Sequence, residues 1–151
     1  MALTKATNRM IDGAPKNVLD FGASPSNSAA ANDTAFAAAL SALSSGGKLV
    51  IPSGSYSLSA TLNIPSACTI QGDGRTNTKL NFSGCSGLKS AANNQHVRID
   101  GLYIVGDNTA STYGIEAVNN PRGFIIRDCY IYKFGTAGTG AGIFLRNNIT
   151  Y

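Results

Sequence analysis

Apolar and polar residues alternate with a period of two through much of the chain after Gly47. Lys48-Leu49-Val50-Ile51 runs into Pro52, Ser55-Tyr56-Ser57-Leu58-Ser59 alternates cleanly, and Thr61-Leu62-Asn63-Ile64 stops at Pro65. Thr69-Ile70-Gln71 ends in the turn Gly72-Asp73-Gly74. Each run predicts a short strand closed by Pro or Gly. Upstream the pattern differs. Asn17-Val18-Leu19-Asp20-Phe21-Gly22-Ala23 predicts a short strand before a glycine turn. Asn32 or Asp33 is suited to cap a helix running to about Leu43, with Phe36, Leu40 and Leu43 on one narrow apolar stripe and Ser44-Ser45-Gly46-Gly47 ending it. In residues 1–16, Leu3, Ala6 or Thr7, and Met10 share a helical face that Gly13-Ala14-Pro15 terminates. That segment is too short to hold a helix alone, so it is expected to pack on a partner or on the domain body.

A repeat organises the second half. Gly87-Leu88-Lys89, Gly114-Ile115-Glu116 and Gly142-Ile143-Phe144 open matching segments whose leading glycines are 27 and 28 residues apart. Arg98–Ile104 matches Ile125–Ile131 at an offset of 27. Units of this size cannot bury their apolar faces singly and must stack. The sequence is therefore read as all-β: a right-handed parallel β-helix, with the helix near residues 33–43 capping its N-terminal end, where an open coil would template further pairing. Ile99 over Ile126, Leu102 over Cys129 and Ile104 over Ile131 are expected as interior columns. Asn94, Asn120 and Asn148 are expected as a ladder at a turn, where amides hydrogen-bond along the stack. A β-sandwich also has many short strands, but it does not produce matched segments at 27 and 28. The chain divides into a lead-in or attachment segment (1–16), a strand plus capping helix (17–47) and the first coils (48–151). Asn148-Ile149-Thr150-Tyr151 stands where a further strand is due, so the β-helix is expected to be truncated at its C-terminal end.

Composition narrows the function. The 151 residues hold 17 Gly, no Trp and only 13% charged residues, too little charge for a disordered tail. No apolar run approaches the ~20 residues that span a membrane, and the first residues lack the hydrophobic stretch of a secretory signal. The net charge of +4 comes from 12 basic and 8 acidic residues. The basic ones are scattered, with no run or motif for nucleic acid, so no nucleic-acid partner is expected. Cys68, Cys85 and Cys129 have no metal-ligand spacing and read as small core residues of a protein made in a reducing cytoplasm. A single His96 adds nothing to a zinc set, and no metal or other cofactor is expected.

The residues Asn17-Val18-Leu19-Asp20-Phe21-Gly22-Ala23, then Asn32-Asp33-Thr34-Ala35-Phe36, then Gly47-Lys48-Leu49-Val50-Ile51-Pro52-Ser53-Gly54-Ser55-Tyr56, resemble the start of the pectate-lyase-like β-helix superfamily. The opening Ala2-Leu3-Thr4-Lys5 and Met10-Ile11-Asp12-Gly13 resemble the lead-in of bacteriophage tailspike and capsule-depolymerase proteins. The resemblance covers nearly the whole chain. It implies a homotrimer on a virion tail that binds, and often cleaves, bacterial surface polysaccharide. It also implies that residues 1–16 contact other tail or baseplate proteins. The sequence departs from complete members in lacking most of the β-helix, a C-terminal trimerisation region and a long particle-binding domain.

Catalysis on a glycoside needs paired carboxyl groups, ~5–5.5 Å or ~6.5–9.5 Å apart. Asp73, Asp100, Asp107, Glu116 and Asp128 are the acidic candidates. The repeat places Asp100 on Arg127 and Asp128 on Gly101; Asp100, Arg127 and Asp128 could serve as a catalytic group, though no spacing singles them out. The simpler expectation is an Asp100–Arg127 surface pair worth ~0.2–1 kcal/mol. Tyr103 and Tyr130 are expected to face outward, one on the other, as the best carbohydrate contact; a purely structural ladder would look the same in sequence. Tyr132 and Phe134 extend the apolar character of that coil and suit a subunit interface. About three coils at ~4.8 Å make a stack only ~15 Å tall, short for an oligosaccharide groove. The preferred reading is thus the beginning of a tailspike, against a carbohydrate-active β-helix enzyme with its site partly in this segment and a non-phage bacterial surface protein that binds carbohydrate.

Overall fold

The computed structural model describes residues 13–90, 96–118, 122–136 and 139–146. Among the described residues thirteen short strands make three sheets, every strand pairing parallel. The first sheet runs β1 (Lys16–Asn17), β2 (Gly47–Ile51), β5 (Cys68–Gly72), β8 (Arg98–Asp100) and β11 (Ile125–Arg127). The second stacks β3 (Gly54–Leu58), β6 (Thr78–Phe82), β9 (Tyr103–Val105) and β12 (Tyr130–Tyr132). The third stacks β4 (Leu62–Ile64), β7 (Leu88–Ser90), β10 (Tyr113–Val118) and β13 (Ala141–Arg146). The chain visits the sheets in that order and returns, rising about three turns from β2 to β11. This is the expected parallel β-helix.

Register builds the core as ladders. Leu49, Ile70, Ile99 and Ile126 stack through the first sheet. Tyr56, Leu80, Ile104 and Ile131 stack through the second, and Leu62, Leu88, Ile115 and Ile143 through the third. The expected columns Ile99 over Ile126 and Ile104 over Ile131 are therefore present. The first three members of each ladder are almost wholly buried, whereas Ile143 is 47% exposed on the last described turn. Leading glycines stack as well, for a steric reason. A Cβ on Gly87 would lie 2.4 Å from the Gly114 carbonyl oxygen, and one on Gly114 would lie 2.5 Å from that of Gly142. Only glycine lets consecutive turns approach so closely at this corner.

Two upstream expectations are corrected. The strand over 17–23 is only β1, and Val18–Phe21 forms a 3-10 turn. The Asn17 side chain accepts from the Leu19 amide at 3.0 Å, drawing the backbone into a turn, and Gly22 ends it at φ 94°. The capping helix α1 spans Ala29–Ser41 and is capped by Ser28, not by Asn32 or Asp33. Those two side chains are occupied in tertiary bonds. Buried Asn32 accepts from the Ser24 amide at 3.0 Å and donates to the Ser57 carbonyl at 3.2 Å. Asp33 accepts from the Ser59 amide at 3.0 Å and hydroxyl at 2.6 Å, and from the Ala60 amide at 3.2 Å. Both fix α1 to the end of β3. Phe36 then meets Tyr56 edge-on at 5.6 Å, and both are fully buried.

The cysteines are free thiols. Cys68 is buried and its thiol is pushed up to about 11 by that burial. Cys85 and Cys129 are half-buried and packed against the core. The Asn94, Asn120 and Asn148 ladder, and residues 1–12 of the lead-in, lie outside the described residues.

Candidate functional site

The outer face of the second sheet carries a column of Ser55, Lys79, Tyr103 and Tyr130 in direct register. Strand alternation sends these side chains outward, because Tyr56, Leu80, Ile104 and Ile131 point in. The Tyr103 and Tyr130 rings are 4.7 Å apart at 89°, edge to face and not parallel. The positive ring edge prefers the negative face of its neighbour, so register alone does not give face-on stacking. The Lys79 ammonium lies 5.3 Å from the Tyr103 ring centre, and Tyr132 stands 6.1 Å from Tyr130. Phe134 is partly buried against the core, 6.3 Å from Phe82. Tyr132 stays exposed.

Arg75 and Thr76, on the corner between β5 and β6, join the two tyrosines around a shallow depression of about 350 Å³. Sequence reasoning missed both, because this corner is longer than its counterpart at Gly101-Leu102 and breaks the repeat. The turn signal Gly72-Asp73-Gly74 was the only trace of it. A second hollow of about 410 Å³ lies between α1 and β4, lined by Ala37, Leu40, Leu62, Ile64 and Pro65. It is mostly apolar, and the Asp33 carboxylate at its rim already serves Ser59 and Ala60.

The acidic candidates separate by partner. Asp100 stacks on Arg127 as expected and binds it at 2.7 Å, while Arg98 holds the same oxygen at 3.0 Å. Its side chain is only 13% exposed. The hydrogen bond from Arg127, above all, holds the Asp100 carboxyl below the usual aspartate range. A general acid needs the opposite shift, so Asp100 is ill suited to donate a proton. Asp128 turns to Arg75, at 3.5 Å. The structure thus brings Asp100 and Arg127 together and gives Asp128 a different cation. Asp73 accepts from the Ser53 amide at 2.8 Å, and Glu116 pairs with Lys89 at 3.2 Å. Among the described residues no group of three His, Cys, Asp or Glu side chains could hold a metal ion, and no helix is long and apolar enough to cross a membrane.

Asp107 is a staple between turns. It accepts from the Thr109 hydroxyl at 2.6 Å, the Gly84 amide at 2.7 Å and the Ser83 hydroxyl at 3.0 Å. The Thr109 bond first, then the Gly84 bond, lower its carboxyl from 3.8 to about 2. A carboxyl lowered by folding stabilises the fold fully above its unfolded value and stops doing so as pH falls through its folded value. Wild-type stability is therefore expected to drop between about pH 4 and pH 2, and Asp107→Asn to flatten that drop. Urea midpoints measured across this range check it; parallel curves for the two chains would refute it.

A family model, Rhamnogalacturonase A/epimerase, pectate lyase-like, matches residues 16–109. The chain belongs to this pectate-lyase-like family. That membership agrees with the right-handed parallel β-helix and marks the protein as carbohydrate-active or carbohydrate-binding. Searches of curated proteins and of solved structures gave no match. In this pectate-lyase-like chain the matched span includes Arg75, Thr76, Lys79 and Tyr103, and Tyr130 lies beyond it.

Proposed function

We propose that this chain forms the beginning of a bacteriophage tailspike: it caps and positions a trimeric β-helix and contacts host surface polysaccharide through the Tyr103–Tyr130 face. The observation that carries the sugar contact is the depression framed by the two rings, the Arg75 guanidinium and the Thr76 hydroxyl. Aromatic faces pack on the C–H faces of sugar rings, and a fork of N–H donors with a hydroxyl satisfies sugar hydroxyls. The tailspike assignment rests on the lead-in Ala2–Gly13. Residues 1–16 would contact other tail or baseplate proteins of the virion, and the trimer would be closed and symmetric.

Binding without cleavage is the expected behaviour of this segment. The Arg-clamped Asp100 offers no proton, and Asp128 pairs elsewhere. The test is to incubate the chain with capsular and O-antigen polysaccharides, following binding, new reducing ends and the ultraviolet absorbance of unsaturated sugars. Retention on a polysaccharide with no new ends is expected. Turnover that disappears in Asp128→Asn would overturn it in favour of an enzyme whose site lies partly here. A chain that stays monomeric in the assembled particle would contradict the trimer.

A further inference from the structure

The Arg75–Asp128 pair reaches across an intervening turn of the helix. Arg75 lies on the corner after β5 and Asp128 on the corner after β11. The corner between them is Gly101, whose carbonyl accepts from the Gly74 amide at 3.1 Å and whose amide donates to the Arg127 carbonyl at 3.1 Å. Gly101 sits at φ 65°, and a Cβ there would lie 3.0 Å from the Gly72 carbonyl oxygen. The corner is thus kept bare, and the long Arg75 side chain crosses it to a carboxylate two turns on.

The pair is loose. It has one contact, at 3.5 Å, and its side chains are 59% and 52% exposed. The neighbouring Asp100 is held at 2.7 and 3.0 Å by two guanidiniums and is nearly covered. An exposed single-contact pair is weak and open to exchange of partners. Arg75 also lines the depression with Tyr103 and Tyr130, and the Lys79 ammonium lies against the Tyr103 ring. A carboxylate on a sugar lying against Tyr103 and Tyr130 would therefore find one guanidinium within the site already engaged by the protein's own carboxylate.

Resting on the reading of this face as a sugar site, we propose that Asp128 is a specificity-determining residue. It competes with a ligand carboxylate for Arg75 and thereby lowers the preference of the site for acidic over neutral sugars. Removing that competitor favours hexuronate chains selectively, because a neutral sugar makes no claim on the guanidinium's charge.

The backbone makes the decisive variant conservative. Asp128 adopts φ 47°, a left-handed conformation that asparagine tolerates as well as aspartate does. Asp128→Asn keeps the turn and the size of the side chain while removing its charge. The experiment titrates a hexuronate oligosaccharide and its carboxyl-reduced counterpart into the wild-type chain, Asp128→Asn, Arg75→Gln and Tyr130→Ala, by calorimetry at two salt concentrations. In Asp128→Asn the ratio of hexuronate to reduced-sugar affinity is expected to rise about 3–5-fold, the size of an exposed ion pair, and more at low salt. In Arg75→Gln that ratio falls. An unchanged or lowered ratio in Asp128→Asn, with binding still weakened in Tyr130→Ala, overturns the role of Asp128 and leaves the sugar site standing. Binding of either sugar that Tyr130→Ala does not weaken, or no binding of either sugar to any chain, overturns the sugar site itself.

Discussion

Tyr103→Ala/Tyr130→Ala is expected to bind its polysaccharide about 5–150-fold more weakly than the wild-type chain. Each ring contributes about 0.5–1.5 kcal/mol of contact beyond the area it covers, and 1.4 kcal/mol is a factor of ten. The two rings meet edge to face at 4.7 Å, so each orients the other and removing one also loosens its neighbour. Tyr130 is 49% exposed, so its truncation leaves no buried cavity. Folding of the single variant Tyr130→Ala should be nearly unaffected, and its thermal midpoint, close to wild type, separates loss of binding from loss of structure. Tyr130→Phe keeps the face and loses only the hydroxyl, so it should retain most of the affinity. Retention of the chain on polysaccharide beads, with equal affinity for wild type and the double variant, would mean that the tyrosines form a structural ladder only.

The second large effect lies at the cap. Phe36→Ala is expected to destabilise the fold by about 3–5 kcal/mol, the range for deleting a buried aromatic ring. Phe36 is fully buried on α1 and packs edge-on against Tyr56, the first member of its ladder. Removing the ring opens a cavity that the helix cannot close by settling, because Asn32 and Asp33 hold it at fixed points on Ser57, Ser59 and Ala60. The Tyr56 hydroxyl would still donate to the Pro52 carbonyl at 3.1 Å, keeping that ring from following. Domains of this size have only about 5–15 kcal/mol in total, so the urea midpoint should fall steeply. Phe36→Leu fills most of the volume and should cost far less. A small effect of the alanine would show that α1 is not needed to close the N-terminal end of the stack.

Where the turns keep a constant length, sequence and structure agree residue by residue. Ile99 over Ile126, Asp100 over Arg127 and Tyr103 over Tyr130 follow from an offset of 27 that survives in both strands of the turn. The earlier turns break that spacing. Ile70 lies 21 residues after Leu49, and Ile99 lies 29 after Ile70. No single period reveals those ladders: the first turn is short because β3, β4 and β5 follow one another closely, and the next is lengthened at the corner that carries Arg75 and Thr76. The helix start was misplaced for a related reason. Asn32 and Asp33 are good caps by local preference, but their tertiary partners 25 and 26 residues away claim them first.

The class of fold and the columns Ile99 over Ile126, Ile104 over Ile131 and Tyr103 over Tyr130 were legible from the chain alone. Alternation of two and a repeat of 27 to 28 leave one way to bury the apolar columns, by stacking strand on parallel strand. Which charges meet was settled by the packing of the stack. Asp100 and Asp128 are the same residue type on successive turns, yet one is clamped by Arg98 and Arg127 and the other reaches over Gly101 to Arg75. The partner of a surface carboxylate depends on the height and length of corners several turns away, and those are set by how the whole stack packs, not by the residues beside it.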